Sequence, residues 1–422
     1  MIYQNTLAFA KEMDDKDSLK DYREKFYFPM MHGKKTIYFT GNSLGLQPKT
    51  TQDYVVNELE DWATFGVEGH FHARNKWLSY HEQFAEPVAK IVGALPTEVV
   101  VMNQLTVNLH LLMVSFYRPT DKRFKILCEA KAFPSDQYAM QSQVKFHGYK
   151  PDDAIIEVAP RDGENCIRHE DIIEAIEKNK DSLALIMIGG VNYFTGQVFS
   201  MKAITEAGHK AGAMVGFDLA HAAGNLKLEL HNWNVDFACW CSYKYLNSGP
   251  GGVSGVFINE RHLTEKDIPR FSGWWGHDKG TRFKMEKDFV PMPTAEAWQM
   301  SNAPVLSMAA HKAAVDIFDE VGMDALVAKA EVLTGYLEFI IDEINKSLEQ
   351  KLEIITPRDK TQRGCQISIV AHGRGKDLFN KLTEAGVISD WREPNVIRCA
   401  PVPLYNSFED VFTFGEILKN SL

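Results

Sequence analysis

The sequence predicts an α/β fold built on a mainly parallel β-sheet with helices on both faces. Short, almost continuous apolar segments recur along the chain, and segments of helical periodicity separate them, as is typical of strands buried on both sides. The predicted strands lie near residues 99–102, 124–129, 183–188, 213–217, 237–241 and 253–258. The helices predicted between them lie near residues 107–117, 135–147, 170–178 and 201–211.

The pattern changes after about residue 302. Long helices are predicted near 305–320 and 323–347, followed by strands near 352–355, 366–370 and 396–400 and by helices near 376–384 and 407–418. This order predicts a smaller α+β domain, and 422 residues are too many for one simple core. We therefore expect an N-terminal segment, 1–45, that joins the small domain, a large domain, 46–302, and a small C-terminal domain, 303–422.

The composition is that of an ordinary globular protein, with 45% hydrophobic and 24% charged residues. A net charge of -10 argues against nucleic acid or a membrane surface as a partner. No apolar segment approaches the ~20 residues that span a bilayer, and residues 1–20 lack the apolar centre of a signal peptide. We expect a cytoplasmic protein.

Cysteine usage agrees with that expectation. The six cysteines are scattered, and several lie in apolar strand patterns, so we expect buried, reduced thiols. Cys239 and Cys241 form a C-x-C pair, and His70 and His72 form an H-x-H pair. Neither pair has the further partners that a zinc site needs, so no metal is predicted.

Two polar residues follow neighbouring predicted strands. Asp218 comes directly after 213–217, and Lys244 comes shortly after 237–241. A lysine can form a Schiff base with an aldehyde cofactor, while an acid keeps the cofactor's pyridine nitrogen protonated. The pair therefore predicts pyridoxal 5'-phosphate chemistry. Alternatively, Asp218 only caps a helix at 219–225. His221 lies one turn further on, where it can face the cofactor or be a core histidine.

A second signal predicts where a phosphate binds. Leu105 and Thr106 open the apolar helix that follows strand 99–102, and a helix N-terminus with a hydroxyl is an anion site. An ordinary threonine N-cap is compatible with that role.

Eight segments, in order from about residue 38 to the C-terminus, resemble the kynureninase family. They are FTGNSLGL at 39–46, NQLTVNLH at 103–110, FPSD at 133–136, VGFDLAHAAGN at 215–225, CWCSYKYLNSGPGG at 239–252, GWWGH at 273–277, RFKM at 282–285 and APVPLYN at 400–406. The resemblance implies the fold-type-I, aspartate-aminotransferase-like architecture of pyridoxal-phosphate enzymes and a homodimer with shared active sites. It also implies hydrolysis of L-kynurenine or 3-hydroxy-L-kynurenine to anthranilate or 3-hydroxyanthranilate plus L-alanine.

The resemblance also assigns site residues. Lys244 carries the cofactor and moves the substrate's α-proton, Asp218 holds the pyridine nitrogen, and Tyr243 contacts the phosphate and serves as the acid. The other implied cofactor contacts are Leu105, Thr106, Phe133, Pro134, Ser135, Asp136 and His221. The resemblance also implies that Trp274 and Asn302 reach the phosphate or substrate of the neighbouring subunit. Phe133 should stack on the ring. Core packing is the alternative for Trp274, and a first-turn helix acid is the alternative for Asp136. Gly189 departs from relatives that carry a hydroxyl residue there.

The resemblance places the substrate between four residues. Arg398, in a strand pattern where an unpaired charge would be costly, should clamp the carboxylate, with a structural salt bridge as the alternative. Ser43, His70 and Asn302 should line the ring pocket. Because His70 and Asn302 are polar, we favour 3-hydroxykynurenine as substrate. The alternative is that both side chains bond water or the cofactor phosphate.

Two rival functions share some of these signals. A cysteine desulfurase or an aminotransferase has the same fold and the same acid–lysine pair, but a desulfurase needs a reactive cysteine on a mobile loop. A pyridoxal-phosphate-binding regulator needs a fused DNA-binding module, and the sequence has no basic patch that would indicate one.

Overall fold

A seven-stranded sheet lies at the centre of the computed structural model, which describes residues 2–265 and 267–422. The described strands are β1 (Met30–Met31), β2 (Lys34–Lys35), β3 (Ile37–Tyr38), β4 (Val99–Val101), β5 (Lys125–Glu129), β6 (Ile155–Val158), β7 (Leu183–Gly189), β8 (Met214–Asp218), β9 (Phe237–Trp240), β10 (Gly255–Ile258), β11 (Glu353–Ile354), β12 (Ile367–Val370), β13 (Val387–Ile388), β14 (Asp390–Arg392) and β15 (Val396–Cys399).

The described helices flank this sheet or lie in the C-terminal part. They are α1 (Leu7–Lys16), α2 (Thr51–Phe65), α3 (Gly69–His72), α4 (Ala85–Val92), α5 (Leu105–Phe116), α6 (Pro134–Phe146), α7 (Pro151–Ala154), α8 (His169–Asn179), α9 (Met201–Lys210), α10 (Glu260–Leu263), α11 (Val305–Val321), α12 (Met323–Asn345), α13 (Gly375–Glu384) and α14 (Phe408–Ser421). Within the described ranges, no helix is both long and apolar enough to cross a membrane.

The central sheet is mainly parallel, as predicted. Its strand order is β4-β10-β9-β8-β7-β5-β6, and every pair from β9 to β6 is parallel, whereas β10 runs antiparallel to both of its neighbours. Successive residues of one strand enter cores on opposite faces: Leu185 and Met187 face one core, while Ile186 and Ile188 face the other. Burial on both faces explains why the sequences of these strands are almost continuously apolar.

A four-stranded antiparallel sheet, in the order β11-β12-β15-β14, forms the C-terminal part. The N-terminal segment joins it, because β3 pairs with β13 and the Asp14 carboxylate accepts the backbone N–H groups of Phe408 and Glu409 at 2.7 and 2.9 Å. The division of the chain at residues 45 and 302 stays a prediction.

The helix expected at 219–225 is absent, and that expectation is wrong. Residues 220–225 form turns, and the Asp218 Oδ1 atom accepts the N–H of Ala220 at 2.7 Å. The physical reason is tertiary: the Asn225 side chain donates to the carbonyl of His221 at 2.8 Å and accepts the N–H of Cys365 at 2.8 Å. These bonds hold the segment against the C-terminal part, and they override the helix propensity of its alanines.

A buried carboxylate ties β8 to β9 at the edge of the sheet opposite the ends that carry Asp218 and Lys244. Asp236 immediately precedes β9 and accepts the N–H of Val215 at 2.7 Å. His209 and His262 each lie 2.8 Å from its oxygens, and Arg261 also donates to it. Burial opposes ionisation, but the bonds from His209 and His262 and the Arg261 charge outweigh it and hold the pKa of Asp236 well below its usual range.

Asp236→Asn should therefore destabilise the large sheet by on the order of 2 kcal/mol at pH 7, because His209, His262 and Arg261 lose their buried, charged acceptor. A carboxyl group with a lowered pKa in the folded state stabilises the protein at pH values above its unfolded-state pKa, roughly 3.9. The difference in unfolding free energy between the parent and the variant should therefore shrink only below about pH 4. Thermal unfolding of the parent and the variant at several pH values measures this difference in stability.

Asp171→Asn is the matched control, since it removes a carboxylate that pairs with Arg161 at the surface. It should leave the melting temperature almost unchanged. Equal melting temperatures for the two variants would contradict a special role for Asp236.

Candidate active site

A pocket lies where four parallel strands end. Glu129 ends β5, Gly189 ends β7, Asp218 ends β8, and Lys244 lies just beyond β9. The residues that the sequence placed at the cofactor and that line this pocket are Leu105, Thr106, Phe133, Ser135, Asp136, Asp218, His221, Tyr243 and Lys244. Ligands of open α/β sheets bind at such carboxyl ends. The structure thus brings most of the predicted set together, while their individual roles stay predictions.

The Lys244 segment is held by the N-terminal segment. The N–H of Gly45 donates to the carbonyl of Tyr243 at 2.9 Å, and a Cβ atom at position 45 would lie 2.4 Å from the carbonyl oxygen of Lys244. Only glycine allows this approach. The FTGNSLGL segment therefore contributes to the position of the lysine.

The Lys244 amine faces a neutral imidazole. Its Nζ atom lies 3.1 Å from Nε2 of His221 and 5.8 Å from the centre of the Phe133 ring. Burial lowers the pKa of His221 well below its usual range, and the charges of Lys244, Arg398 and Arg392 lower it further. The neutral ring can accept a hydrogen bond from the lysine.

Three buried carboxyl groups surround the other side of the pocket. Burial raises the pKa of Asp136 well above its usual range, and its neighbour Asp218 adds to the effect. Burial also raises the pKa of Asp218, opposed by the N–H of Ala220 and the Lys244 charge. Burial, with a contribution from Asp218, raises the pKa of Glu129 to about 7. Such a cluster favours a cation between its members.

Glu129 was not predicted as a site residue, although its position in the sequence indicates one. It directly ends an apolar strand at the same edge as Asp218. Both of its carboxylate oxygens lie 3.2 Å from the N–H of Gly189. A Cβ atom at position 189 would lie 3.0 Å from Oε1 of Glu129, so a larger residue there would crowd the carboxyl group.

Two helices begin at the pocket. α5 begins at Leu105 and α6 at Pro134, and Thr106 and Ser135 in their first turns line the pocket. The free N–H groups and hydroxyls of helix N-termini suit a phosphate. Burial raises the pKa of the Tyr243 phenol, so this group keeps its proton.

These residues fit pyridoxal 5'-phosphate. The donors of the two helix ends suit its phosphate, and the carboxyl cluster suits a protonated pyridine nitrogen. Among the described residues, Asp136 Oδ1 and His221 Nδ1 are buried polar atoms without a hydrogen-bond partner, which is the pattern expected of groups that bind a ligand. Phe133 is half-exposed and meets Tyr193 edge-on at 5.3 Å. Its stacking on the cofactor ring stays a prediction.

Arg398 lies in a separate buried network. Its guanidinium donates to the carbonyl of Tyr193 at 2.6 Å, to Asp390 Oδ2 at 2.7 Å and to Ser43 Oγ at 3.3 Å. The structural ion pair considered as an alternative is therefore present, and it is compatible with a clamp for a carboxylate. Asp390 was missed, because its short strand has no apolar pattern.

Six predicted residues do not line the Lys244 pocket: Pro134, Ser43 and Arg398, together with Trp274, His70 and Asn302. Trp274 packs edge-on against Phe283 at 5.4 Å, and its indole N–H donates to the carbonyl of Arg282. His70 and Asn302 line another surface pocket together with Trp62 and Trp77. Within the chain described here, the residues predicted to recognise the ring thus lie apart from the lysine.

The chain is similar over its whole length to proteins named kynureninase. It is 61% identical to the one from Flavobacterium psychrophilum over 422 residues, covering 100% of this chain and 99% of the relative. The identity is 62% with the Flavobacterium johnsoniae protein, at the same coverage, and 47% with that of Nematostella vectensis, covering 97% and 93%. The family described as "Kynureninase C-terminal domain" matches residues 326–418.

Solved structures confirm the predicted fold class. The apo cysteine desulfurase from Thermococcus onnurineus superposes with a TM-score of 0.74 at 18% identity, covering 91% of this chain and 94% of that one. The cysteine desulfurase CsdA from Escherichia coli gives 0.75 at 14% identity, covering 96% and 98%. At such identities the likeness concerns the fold alone.

Lys244→Ala should abolish turnover and the yellow absorption band of the bound cofactor, because no other amine lines the pocket among the described residues. Lys227→Ala, which removes an exposed lysine paired with Asp324, is the control and should change neither. Absorption spectra and steady-state rates measure both effects. Turnover by Lys244→Ala within tenfold of the parent would be incompatible with the assignment.

Proposed function

This chain belongs to the kynureninase family, and from that membership we propose that it hydrolyses the Cβ–Cγ bond of L-kynurenine or 3-hydroxy-L-kynurenine. The products are anthranilate or 3-hydroxyanthranilate and L-alanine. The structural observation that carries the proposal is the pocket that unites Lys244, Asp218 and Tyr243 at one sheet edge. When bound, pyridoxal 5'-phosphate holds the substrate amino group and accepts the electron pair left when a bond at Cα or Cβ breaks.

Lys244 and Asp218 divide the proton chemistry at the cofactor. Once its amine is free, Lys244 Nζ is placed to remove the α-proton, and His221 Nε2, at 3.1 Å, orients it as a neutral acceptor. Asp218 keeps a proton on the pyridine nitrogen, assisted by the neighbouring Asp136. Water adds to the γ-carbonyl, and the Cβ–Cγ bond then breaks to release the ring acid. Tyr243, whose raised phenol pKa keeps it protonated, is the candidate acid that gives a proton to Cβ.

A desulfurase function has less support. Five of the six cysteines are buried, and the half-buried Cys166 thiol donates to the carbonyl of Ile355. Burial raises the pKa of Cys166 as well, which disfavours the reactive thiolate that sulfur transfer needs.

We also propose a cytoplasmic homodimer with shared active sites. The separation of His70, Asn302 and Trp274 from the Lys244 pocket supports it, because a second copy could bring them to that pocket. Large apolar side chains stay exposed near them, with Trp62 61% and Phe71 47% accessible. The six unpaired cysteines suit a reducing compartment.

Product analysis tests the function directly. The purified enzyme is incubated with L-kynurenine, 3-hydroxy-L-kynurenine or L-cysteine, and the products are identified by mass spectrometry. We expect L-alanine with the matching anthranilate from the kynurenines, and no sulfide from cysteine. If the enzyme released sulfide from cysteine and cleaved neither kynurenine, the proposed function would be wrong and a desulfurase function would take its place.

The ring pocket should prefer 3-hydroxykynurenine. A site whose polar groups bond a hydroxyl rejects the analogue that lacks it, because those groups are left unpaired. His70 and Asn302 supply such groups beside Trp62 and Trp77. In a His70→Trp, Asn302→Thr double variant the ratio of kcat/KM for the two substrates should move toward plain kynurenine by roughly tenfold or more.

His72→Trp is the matched control, since His72 lies on the exposed side of the same short helix near Glu68. It should leave the ratio unchanged. A parent that already prefers plain kynurenine, or a double variant with the parental ratio, would contradict this view of the pocket.

A further inference from the structure

Three charged side chains share one face of the small sheet. Asp390 of β14 lies directly opposite Arg398 of β15 in the antiparallel register, and Arg392 follows two residues after Asp390. Side chains two residues apart on a strand point to the same face, and directly opposed residues are neighbours. The D-x-R spacing therefore places one carboxylate between two guanidinium groups.

The contacts agree with that placement. Asp390 Oδ2 accepts from Arg398 at 2.7 Å and from Arg392 Nη2 at 3.3 Å, while Arg392 Nε lies 3.1 Å from Oδ1. The Ser43 hydroxyl donates to the same carboxylate. Arg398 is fully buried, whereas the Arg392 side chain is 36% accessible.

The charges of this group do not cancel. Asp390 balances the charge of the buried Arg398, so the group keeps one net positive charge, which Arg392 supplies. A single α-carboxylate would neutralise it. Within the described residues, the Arg398 Nε atom is buried and has no hydrogen-bond partner.

The group adjoins the lysine pocket at Tyr193. Arg398 donates to the carbonyl of Tyr193, and Tyr193 lines that pocket. Both guanidinium charges also lower the pKa of His221, which contacts Lys244. Their positive charge thus extends to the place where the substrate's amino-acid end would lie.

We propose that Arg392 is a specificity-determining residue that gives the site its selectivity for substrates with an α-carboxylate, and that Asp390 is a positioning residue that orients Arg392 and Arg398. This inference rests on the proposed function, since the amino-acid substrate is part of that proposal. Arg398 remains the predicted clamp, and Arg392 adds the charge that Arg398, once paired with Asp390, no longer supplies.

The test uses the holoenzyme and two ligands that differ only in the carboxylate. L-Alanine and ethylamine are titrated against the parent and Arg392→Gln, and the cofactor absorption reports binding. We expect Arg392→Gln to weaken the binding of L-alanine by about tenfold or more and to leave the binding of ethylamine unchanged. With kynurenine substrates, KM should rise while kcat changes far less.

Two further variants separate charge from structure. Arg392→Lys keeps the charge and should recover most of the affinity for L-alanine. Arg358→Gln, which removes an exposed arginine paired with Asp342 in the same part of the chain, should bind both ligands as the parent does.

Unchanged L-alanine binding in Arg392→Gln would overturn the inference. An equal loss of affinity for L-alanine and for ethylamine would overturn it as well. Failure of the parent to cleave either kynurenine would instead count against the proposed function, since the two small ligands report on Arg392 without turnover.

Discussion

The burial of three carboxyl groups at one edge of the sheet is the constraint on which the site depends. Glu129, Asp136 and Asp218 are held there by strand ends and by the first turn of α6. They cannot all be ionised without a cation among them, because burial and mutual repulsion oppose charge. The parallel sheet brings Glu129 and Asp218 together, since its strands end at one edge, and the first turn of α6 adds Asp136. A protonated pyridine ring is a cation of the right shape and charge for it.

The sequence predicted this end of the site because strand ends can be recognised from apolar segments. Asp218 and Lys244 follow such segments, and Glu129 could have been found by the same rule. Asp390 and Arg392 could not, since their three-residue strand is half-buried throughout and carries no periodicity. The turn after Asp218 was missed for another reason: its alanines favour a helix locally, and the bonds of Asn225 to a distant segment decide otherwise.

The residues assigned to the substrate ring could not be placed relative to Lys244 from the sequence of one chain. The family resemblance assigns His70 and Asn302 to the substrate ring, yet the folded chain leaves them outside the pocket that contains Lys244. Sequence order says nothing about which copy of a chain supplies a residue. Under the proposed dimer, the chemistry at the cofactor belongs to one protomer's sheet, and the choice of ring belongs to the surface that its partner presents. Mutations at the exposed aromatic residues would then affect assembly and substrate choice together.

Under the proposal that Arg392 and Arg398 receive the substrate's carboxylate, the two ends of the site differ in their charged groups, and that difference orients the substrate. The cofactor end carries three acids near one lysine, and the carboxylate end carries two arginines around one acid. Under the proposed function the cofactor holds the substrate's amino group, so only one orientation places the carboxylate on the same carbon beside the arginines. Reversal would bring like charges together in a buried site, where their repulsion is only weakly screened. Under this proposal, selectivity for the amino-acid end of the substrate follows from how the small sheet meets the large one and does not require contact with the ring.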